Sequence, residues 1–292
     1  MEMVLNKVFC GLDTIHITIT RPRSLISFVG ENAEPTDQLF YGILEILFEQ
    51  HFVVQGGSKQ FVNNGSEYVQ SNSKEILVQL RSAHLMKYGR LKVGAILKFL
   101  SDNGVKPRAK RTRKKDFKPE KQDVFYQITR LDFAVDFETR IDLIKILNER
   151  VGYTHFFTGI PKDYFYRVIQ HSIRIDKDTR EHRFKAIDIY NLGWQLIIYD
   201  KRLEIAEQAT PEKLQLYPPI YRDILVAKER RLYRVELRFF RSRSIAFNSL
   251  TVDELFELPA KELNKFGQAT KLLKRKKQKS IPSTLFSHLF SV

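Results

Sequence analysis

Alternating apolar and polar positions predict strands along much of the chain. In residues 12–20 the side chains of Ile15, Ile17 and Ile19 fall on one face of an extended segment, and polar side chains fall on the other. Residues 74–82 alternate in the same way. Further strands are predicted over 124–137, 184–190, 194–201 and 232–240, and the second and third of these read as a hairpin around residues 191–193.

Apolar residues at helical spacing predict the remaining elements. Residues 37–52 carry Phe40, Ile43, Leu44 and Leu47 on one helical face, and Thr36 is available as an N-cap. Residues 91–102 and 140–151 are predicted helices, and residues 246–292 are predicted to be helical with a basic run near the end. This mixture predicts an α+β fold, with antiparallel sheets covered by helices.

The same pattern suggests a division of the chain into four parts. We expect an N-terminal α+β unit over residues 1–105, a basic linker or loop over 106–122, a second and related α+β unit over 123–245, and a helical basic C-terminal segment over 246–292.

Three predicted strands of the second unit carry charged residues on one face. If the three strands are neighbours, alternation places their polar side chains on one surface. Grouped carboxylates repel one another unless a cation or arginines compensate, and oxygen-rich clusters suit Mg²⁺ or Mn²⁺. An ordinary outward face whose charges pair with arginines is the alternative. The residues concerned are Arg130, Asp132, Asp136, Tyr199, Lys201, Arg234, Glu236 and Arg238, with Glu204 just beyond.

Most of the net charge of +15 is concentrated in two segments. Residues 106–121 contain nine basic and two acidic residues, and residues 271–279 contain six basic residues and no acid. Such clusters attract polyanions, so we expect contact with nucleic acid. The basic residues selected as DNA contacts are Arg130, Arg234 and Arg238 of the predicted strands, together with Lys110, Arg111, Arg113, Lys114, Lys115, Lys274, Arg275, Lys276 and Lys277 of the two basic segments.

Composition limits the class of protein. Apolar residues make up 43% of the 292 residues, enough to bury a core, and Cys10 has no second cysteine with which to form an internal disulfide. No window of about 18 apolar residues is present, so we expect a cytoplasmic protein with no membrane partner.

Three segments, taken in order, resemble a known family. The segments are ITRLDFAVDF, WQLIIYDKRLE and YRVELRFF, and the likeness extends over roughly residues 75–245. They resemble motifs of the rolling-circle replication initiators of small plasmids, which are related to filamentous-phage initiators and to relaxases of integrative elements. The basic stretch at 106–121 departs from the family pattern. The seven histidines include no His-hydrophobic-His pair, unlike the more widespread nickase class.

The resemblance implies a metal-dependent enzyme that nicks and rejoins one DNA strand through a covalent 5′-phosphotyrosyl intermediate. It implies that Tyr199 is the nucleophile, with Tyr190 in reserve, and that Lys201 assists it. The implied ligands of Mg²⁺ or Mn²⁺ are Asp132, Asp136, Glu204 and Glu236. The implied partners are an origin hairpin with a single-stranded nick site and a duplex flank, a host helicase and a second copy of the chain.

Three other functions remain open at this point. The first alternative is a non-catalytic origin-binding or regulatory protein. The second is a metal-dependent nuclease that activates water, and the third is the relaxase of an integrative element. A phosphate-binding loop of the form G-x-x-x-x-G-K-[ST] and a G-x-S-x-G nucleophile elbow are both missing from the sequence, so ATP-driven chemistry and serine hydrolysis are not expected.

Overall fold

The architecture is given by a computed structural model that describes most of the chain. The described residues are 6–20, 38–49, 51–57, 59–108, 124–140, 157–158, 170–175, 184–190, 194–208, 210–227, 229–240, 247–269 and 271–272. The predicted helix at 140–151 and both basic clusters chosen as DNA contacts lie outside them. Among the described helices, none is long and apolar enough to cross a membrane.

Strands and helices alternate along the described chain. The strands are β1 (Asn6–Thr20), β2 (Gln60–Asn63), β3 (Glu67–Ser71), β4 (Glu75–Arg81), β5 (Lys106–Pro107), β6 (Phe125–Thr139), β7 (Phe157–Thr158), β8 (Gln170–Ile175), β9 (Phe184–Tyr190), β10 (Trp194–Asp200), β11 (Arg231–Phe240) and β12 (Lys271–Leu272). The helices are α1 (Gln38–Phe48), α2 (Ser82–Asp102), α3 (Lys201–Gln208), α4 (Pro211–Leu216), α5 (Pro219–Val226) and α6 (Val252–Ala269).

Ten of the described strands belong to one sheet, and β7 pairs with β12 in a separate two-stranded sheet. The strand order is β2-β3-β4-β1-β6-β11-β10-β9-β8, and β5 pairs with β6 at the side. The β4–β1, β3–β4 and β10–β11 pairs are antiparallel, as is the predicted hairpin of β9 and β10, whereas β5 runs parallel to β6. The predicted α+β class with antiparallel sheets is therefore confirmed.

The chain divides into two compact units that do not follow sequence order. The first unit comprises Met1–Leu12, Asp132–Phe239 and Glu257–Val292, and the second comprises Asp13–Leu131 and Phe240–Phe256. The four-part division expected from the sequence stays a prediction.

Apolar rows across the strands form the core of the second unit. Ile17 pairs with Val78, Val78 with Val69, and Val69 with Val62, and each of these side chains is buried. Helix α1 buries the side chains that the 37–52 pattern selected, including Phe40 and Leu47, and it packs against α2. Helix α2 begins at Ser82, nine residues before the predicted start.

A buried ion cluster joins β3 to the helices of this unit. Glu67 is 1% exposed and accepts a hydrogen bond from Lys92 Nζ at 2.7 Å, while His84 Nδ1 lies 2.8 Å from the same carboxylate oxygen. Lys92 also donates to the carbonyl of Leu47 at the end of α1. These partners outweigh the cost of burying the acid, and they hold the pKa of Glu67 below its usual value.

The start of α6 is fixed by a reciprocal capping arrangement. The Thr251 backbone N–H donates to Glu254 Oε2 at 2.8 Å, and the Glu254 N–H donates to Thr251 Oγ1 at 3.3 Å. Phe256, one turn into the helix, packs so closely on Gly89 of α2 that a Cβ there would lie 2.9 Å from its ring. A residue with a Cβ at this position would therefore require the Phe256 ring to shift.

In the first unit, both faces of the central strands are buried. Asp132 and Asp136 of β6 and Arg234 of β11 are each 0% exposed, and Glu236 is 2% exposed. The sequence suggested an outward polar face for these strands, whereas the structure covers it. Helix α5 contributes part of the cover, because its Tyr221 hydroxyl donates to the Asp136 carboxylate.

Candidate active site

The register of β10 and β11 sets the positions of the candidate residues. Tyr199 pairs with Arg234, Ile197 with Glu236, and Gln195 with Arg238. Paired residues of an antiparallel sheet project to the same face, and so do residues two apart on one strand. Tyr199, Glu236 and Arg238 therefore share one face of the first unit, as the sequence predicts.

A hydrogen bond joins the tyrosine to an acid on this face. The half-buried Tyr199 donates its hydroxyl proton to Glu236 Oε2 at 3.3 Å. The other Glu236 oxygen, Oε1, accepts a hydrogen bond from Arg238 Nε at 2.5 Å. The same Arg238 nitrogen lies 3.6 Å from Asp132 Oδ2, so one guanidinium faces two buried carboxylates.

Two buried acids of the first unit lie close enough together to share a metal ion. Asp132 and Glu236 each offer a carboxylate oxygen, and these two atoms lie within 4.8 Å of each other. Burial away from water disfavours neighbouring negative charges unless cations compensate them, and carboxylate oxygens are the ligands that Mg²⁺ and Mn²⁺ prefer. The group can therefore bind a divalent metal, and its chemistry fits a hard cation of this kind.

The charges around Arg238 change the pKa of its guanidinium. Burial acts to lower the pKa of its guanidinium, but the carboxylates of Glu236 and Asp132 act in the opposite direction and raise it overall. The arginine therefore stays positively charged beside the two acids, and its side chain is 23% exposed.

A second arginine of β11 has a different environment. Arg234 donates from Nε to Asp136 Oδ1 and from Nη2 to Asp136 Oδ2, both at 2.6 Å. Tyr221 donates to Asp136 Oδ2 at 2.5 Å. Burial and the Asp136 charge raise the pKa of Tyr221 well above its ordinary value. The Asp136 carboxylate thus accepts three hydrogen bonds, two from Arg234 and one from Tyr221.

Lys201 begins α3 instead of continuing β10, which ends at Asp200. Its side chain is fully buried and forms an ion pair with Glu204, three residues later. The Lys201 ammonium lies 5.9 Å from the ring centre of Tyr199 and 5.7 Å from that of Tyr217. The lysine therefore contacts the ring of the candidate nucleophile from inside the unit.

The structure brings together one part of the predicted site and separates another. Tyr199, Asp132 and Glu236 converge with Arg238, whereas Asp136 and Glu204 are occupied by Arg234 and Lys201. The roles assigned to these residues stay predictions. Tyr190 pairs with Gln195 at the other end of the β9–β10 hairpin from Tyr199. The predicted DNA contacts at 110–115 and 274–277 lie outside the described residues.

Arg130, another predicted DNA contact, lies on β6 in the second unit and is half-buried. It acts electrostatically on His16, whose pKa is lowered to about 3, first by burial and then by the charges of Arg130 and Arg81. The arginine is therefore part of a positively charged region of that unit.

Sequence reasoning missed two buried residues, Asp13 of the second unit and Tyr221 of the first. Asp13 was not selected, although it lies on the same strand face as the apolar residues Ile15 and Ile17. An acid on an apolar face is costly to bury, so its position could have marked it as a functional candidate. Asp13 Oδ1 accepts a hydrogen bond from Ser82 Oγ at 2.6 Å. Tyr221 was also missed, because the short helix α5 has no clear periodicity in the sequence.

Comparison with known proteins supports the fold. No family model matches the sequence, and no curated protein matches it. One solved structure similar to this chain is titled as that of the rolling circle replication initiator protein from Geobacillus stearothermophilus. The likeness covers 98% of this chain and 97% of the other, with a TM-score of 0.52 and 14% sequence identity. At that identity it shows a shared fold.

Proposed function

We propose that this chain is a rolling-circle replication initiator that nicks one DNA strand with Tyr199 and remains attached to its 5′ end. The observation that carries the proposal is the hydrogen bond from the Tyr199 phenol to Glu236, a buried acid that lies with Asp132 beside Arg238. A nucleophile beside clustered acids and the positive charge of an arginine is the arrangement that transfer of a phosphodiester needs. The fold shared with the Geobacillus initiator supports the same class.

The residues proposed to hold a divalent cation are Asp132 and Glu236 of the first unit. When bound, a cation at this position supplies charge neutralisation and a Lewis acid for a phosphate oxygen. We assign Asp136 and Glu204 to their ion pairs with Arg234 and Lys201, so neither belongs to the proposed metal set.

The phenol of Tyr199 is a weak nucleophile until it loses its proton, because an ordinary tyrosine pKa is near 10. Glu236 Oε2 already accepts that hydrogen bond, so it is placed to receive the proton. Tyr199 Oη then forms a bond to phosphorus while the bond from phosphorus to the 3′ oxygen breaks. The leaving oxygen becomes a 3′-hydroxyl when it is protonated, and the 5′ end stays on the tyrosine as a phosphodiester. The reverse reaction rejoins the strand.

Lys201 is proposed as a positioning residue. Its buried ammonium sits beside the Tyr199 ring and is held by Glu204, so it fixes the ring and adds positive charge near the phenol. Arg238 is partly exposed to solvent beside the buried acids, and we propose that its guanidinium contacts the DNA phosphate.

Two related functions lead to different products. A hydrolytic nuclease would release a free 5′-phosphate and form no adduct, and a non-catalytic DNA-binding protein would leave the DNA intact. The relaxase of an integrative element would use the same chemistry, and only its DNA target would differ.

The test uses the full chain and a supercoiled plasmid that carries the DNA flanking its gene. With Mg²⁺ we expect relaxed plasmid and a protein–DNA adduct that resists SDS, and with EDTA we expect neither. Tyr199→Phe is expected to remove the adduct while DNA binding persists. Tyr68→Phe, on β3, is the matched control and is expected to form the adduct normally. Cleavage by Tyr199→Phe at the wild-type rate would overturn the proposal.

A further inference from the structure

The two arginines of β11 that face this site are held very differently. Arg234 is 0% exposed, and two of its nitrogens donate to the single carboxylate of Asp136. Arg238 is 23% exposed, and its Nε lies 2.5 Å from Glu236 but 3.6 Å from Asp132. Its contact with Asp132 is longer than a hydrogen bond and is mainly electrostatic. Arg234 thus forms a bidentate pair with one acid, whereas the Nε of Arg238 is shared unequally between two acids.

The two acids that share Arg238 are the same ones that a metal would need. Asp132 and Glu236 are almost fully buried, so they require a positive charge nearby when they are ionised. In this structure Arg238 supplies such a charge to both. A divalent cation bound by the same oxygens would carry more charge and would compete with the guanidinium for them.

We infer that Arg238 is an internal counter-ion that a divalent cation displaces from Asp132 and Glu236, and that the displaced guanidinium binds a phosphate of the DNA strand. This inference rests on the proposed metal site. It makes metal and DNA binding cooperative through one side chain, since metal arrival frees a phosphate-binding group. The partly exposed side chain of Arg238 has solvent on one side into which it can move, whereas the buried Arg234 has none.

The experiment measures Mn²⁺ binding to the full-length protein through the electron paramagnetic resonance signal of free Mn²⁺, with no DNA present. Arg238→Gln removes the competing charge, so we expect it to bind Mn²⁺ about tenfold more tightly than the wild type. Arg238→Lys keeps the charge and is expected to bind like the wild type. Arg230→Gln is the matched control, because Arg230 pairs with Glu138 away from these acids, and its affinity should not change.

Separate outcomes test the inference and the proposed function. If Arg238→Gln binds Mn²⁺ equally or more weakly while Glu236→Gln loses binding, the counter-ion role is overturned and the metal site stands. If the wild type and Glu236→Gln bind Mn²⁺ alike, the proposed metal site itself fails.

A second measurement tests the coupling to DNA. In the Tyr199→Phe background, which cannot cut, the affinity for a fluorescent oligothymidylate is measured with and without Mn²⁺. We expect Mn²⁺ to increase the affinity, and Arg238→Gln to reduce that increase severalfold. An equal increase in both proteins would overturn the phosphate-binding part of the inference.

Discussion

The phenol of Tyr199 and the carboxylate of Glu236 come from neighbouring strands and are joined by a hydrogen bond of 3.3 Å. The two residues are not directly opposite, because Tyr199 pairs with Arg234 and Glu236 pairs with Ile197. The bond therefore runs diagonally across the strands, a distance that long side chains can span. Glu236 in turn contacts Arg238, and Arg238 lies near Asp132, so these four side chains form one continuous cluster.

Loss of either central acid is expected to remove metal binding. A ligand present at about 100 times its dissociation constant stabilises the native state by about 2.7 kcal/mol, so Mn²⁺ should raise the melting temperature of the wild type. Asp132→Asn and Glu236→Gln should show little or no rise, as measured by differential scanning fluorimetry. Glu138→Gln, which removes an acid paired with Arg230, is the control and should retain the rise.

Breaking the Asp136 ion pair is expected to reduce the free energy of unfolding and to leave metal binding largely intact. Asp136→Asn leaves the buried Arg234 without its negative partner, a loss of about 3–5 kcal/mol in the free energy of unfolding. Tyr221→Phe removes one hydrogen bond and should cost about 1–2 kcal/mol. Urea denaturation measures both. An Asp136→Asn protein that is as stable as the wild type but no longer binds Mn²⁺ would instead make Asp136 a metal ligand.

Acid is expected to weaken the second unit through Glu67. The pKa of Glu67 is lower in the folded protein than its ordinary value, so the unfolded chain takes up a proton first as the pH falls. The stabilisation is complete above the unfolded pKa and is lost as the pH falls through the folded pKa. Glu67→Gln should make stability less dependent on pH in this acidic range, and urea denaturation at several pH values measures the slope. An unchanged slope would mean that Glu67 is not the acid-sensitive group.

Replacing Lys201 is expected to change the pH profile of nicking. Lys201→Met keeps the volume of the buried side chain but removes the positive charge beside the Tyr199 ring. The phenolate then loses nearby stabilisation, so the rate of adduct formation should be lower and should rise only at higher pH. Lys201→Arg should restore part of the wild-type profile. If the methionine variant lowers the rate equally at every pH, Lys201 acts through packing alone.

Much of the fold could be predicted because its strands have a clear period of two. The strands around Phe133 and Val235 were placed within two residues, the strand around Ile17 begins six residues before its predicted start, and the hairpin of β9 and β10 was recognised. The short strands β2 and β3 and the helices α4 and α5 were missed, because elements of four to eight residues carry too few apolar positions to show a period. Lys201 was placed on a strand because the sequence does not mark where β10 ends.

The site was only partly predictable for a different reason. Alternation placed Asp132 and Asp136 of β6 on one face, but it could not tell which acid an arginine neutralises. That choice depends on which residues of β11 and α5 face each acid, and therefore on tertiary contacts such as Tyr221 with Asp136.

The most direct measurement of the central claim identifies the residue that becomes attached to DNA. The adduct formed on the supercoiled plasmid with Mg²⁺ is digested with nuclease and trypsin, and the modified peptide is sequenced by mass spectrometry. The account predicts a nucleotide linked through its 5′-phosphate to Tyr199. A nucleotide on Tyr190 or another residue, or cut DNA with a free 5′-phosphate and no modified peptide, would contradict it.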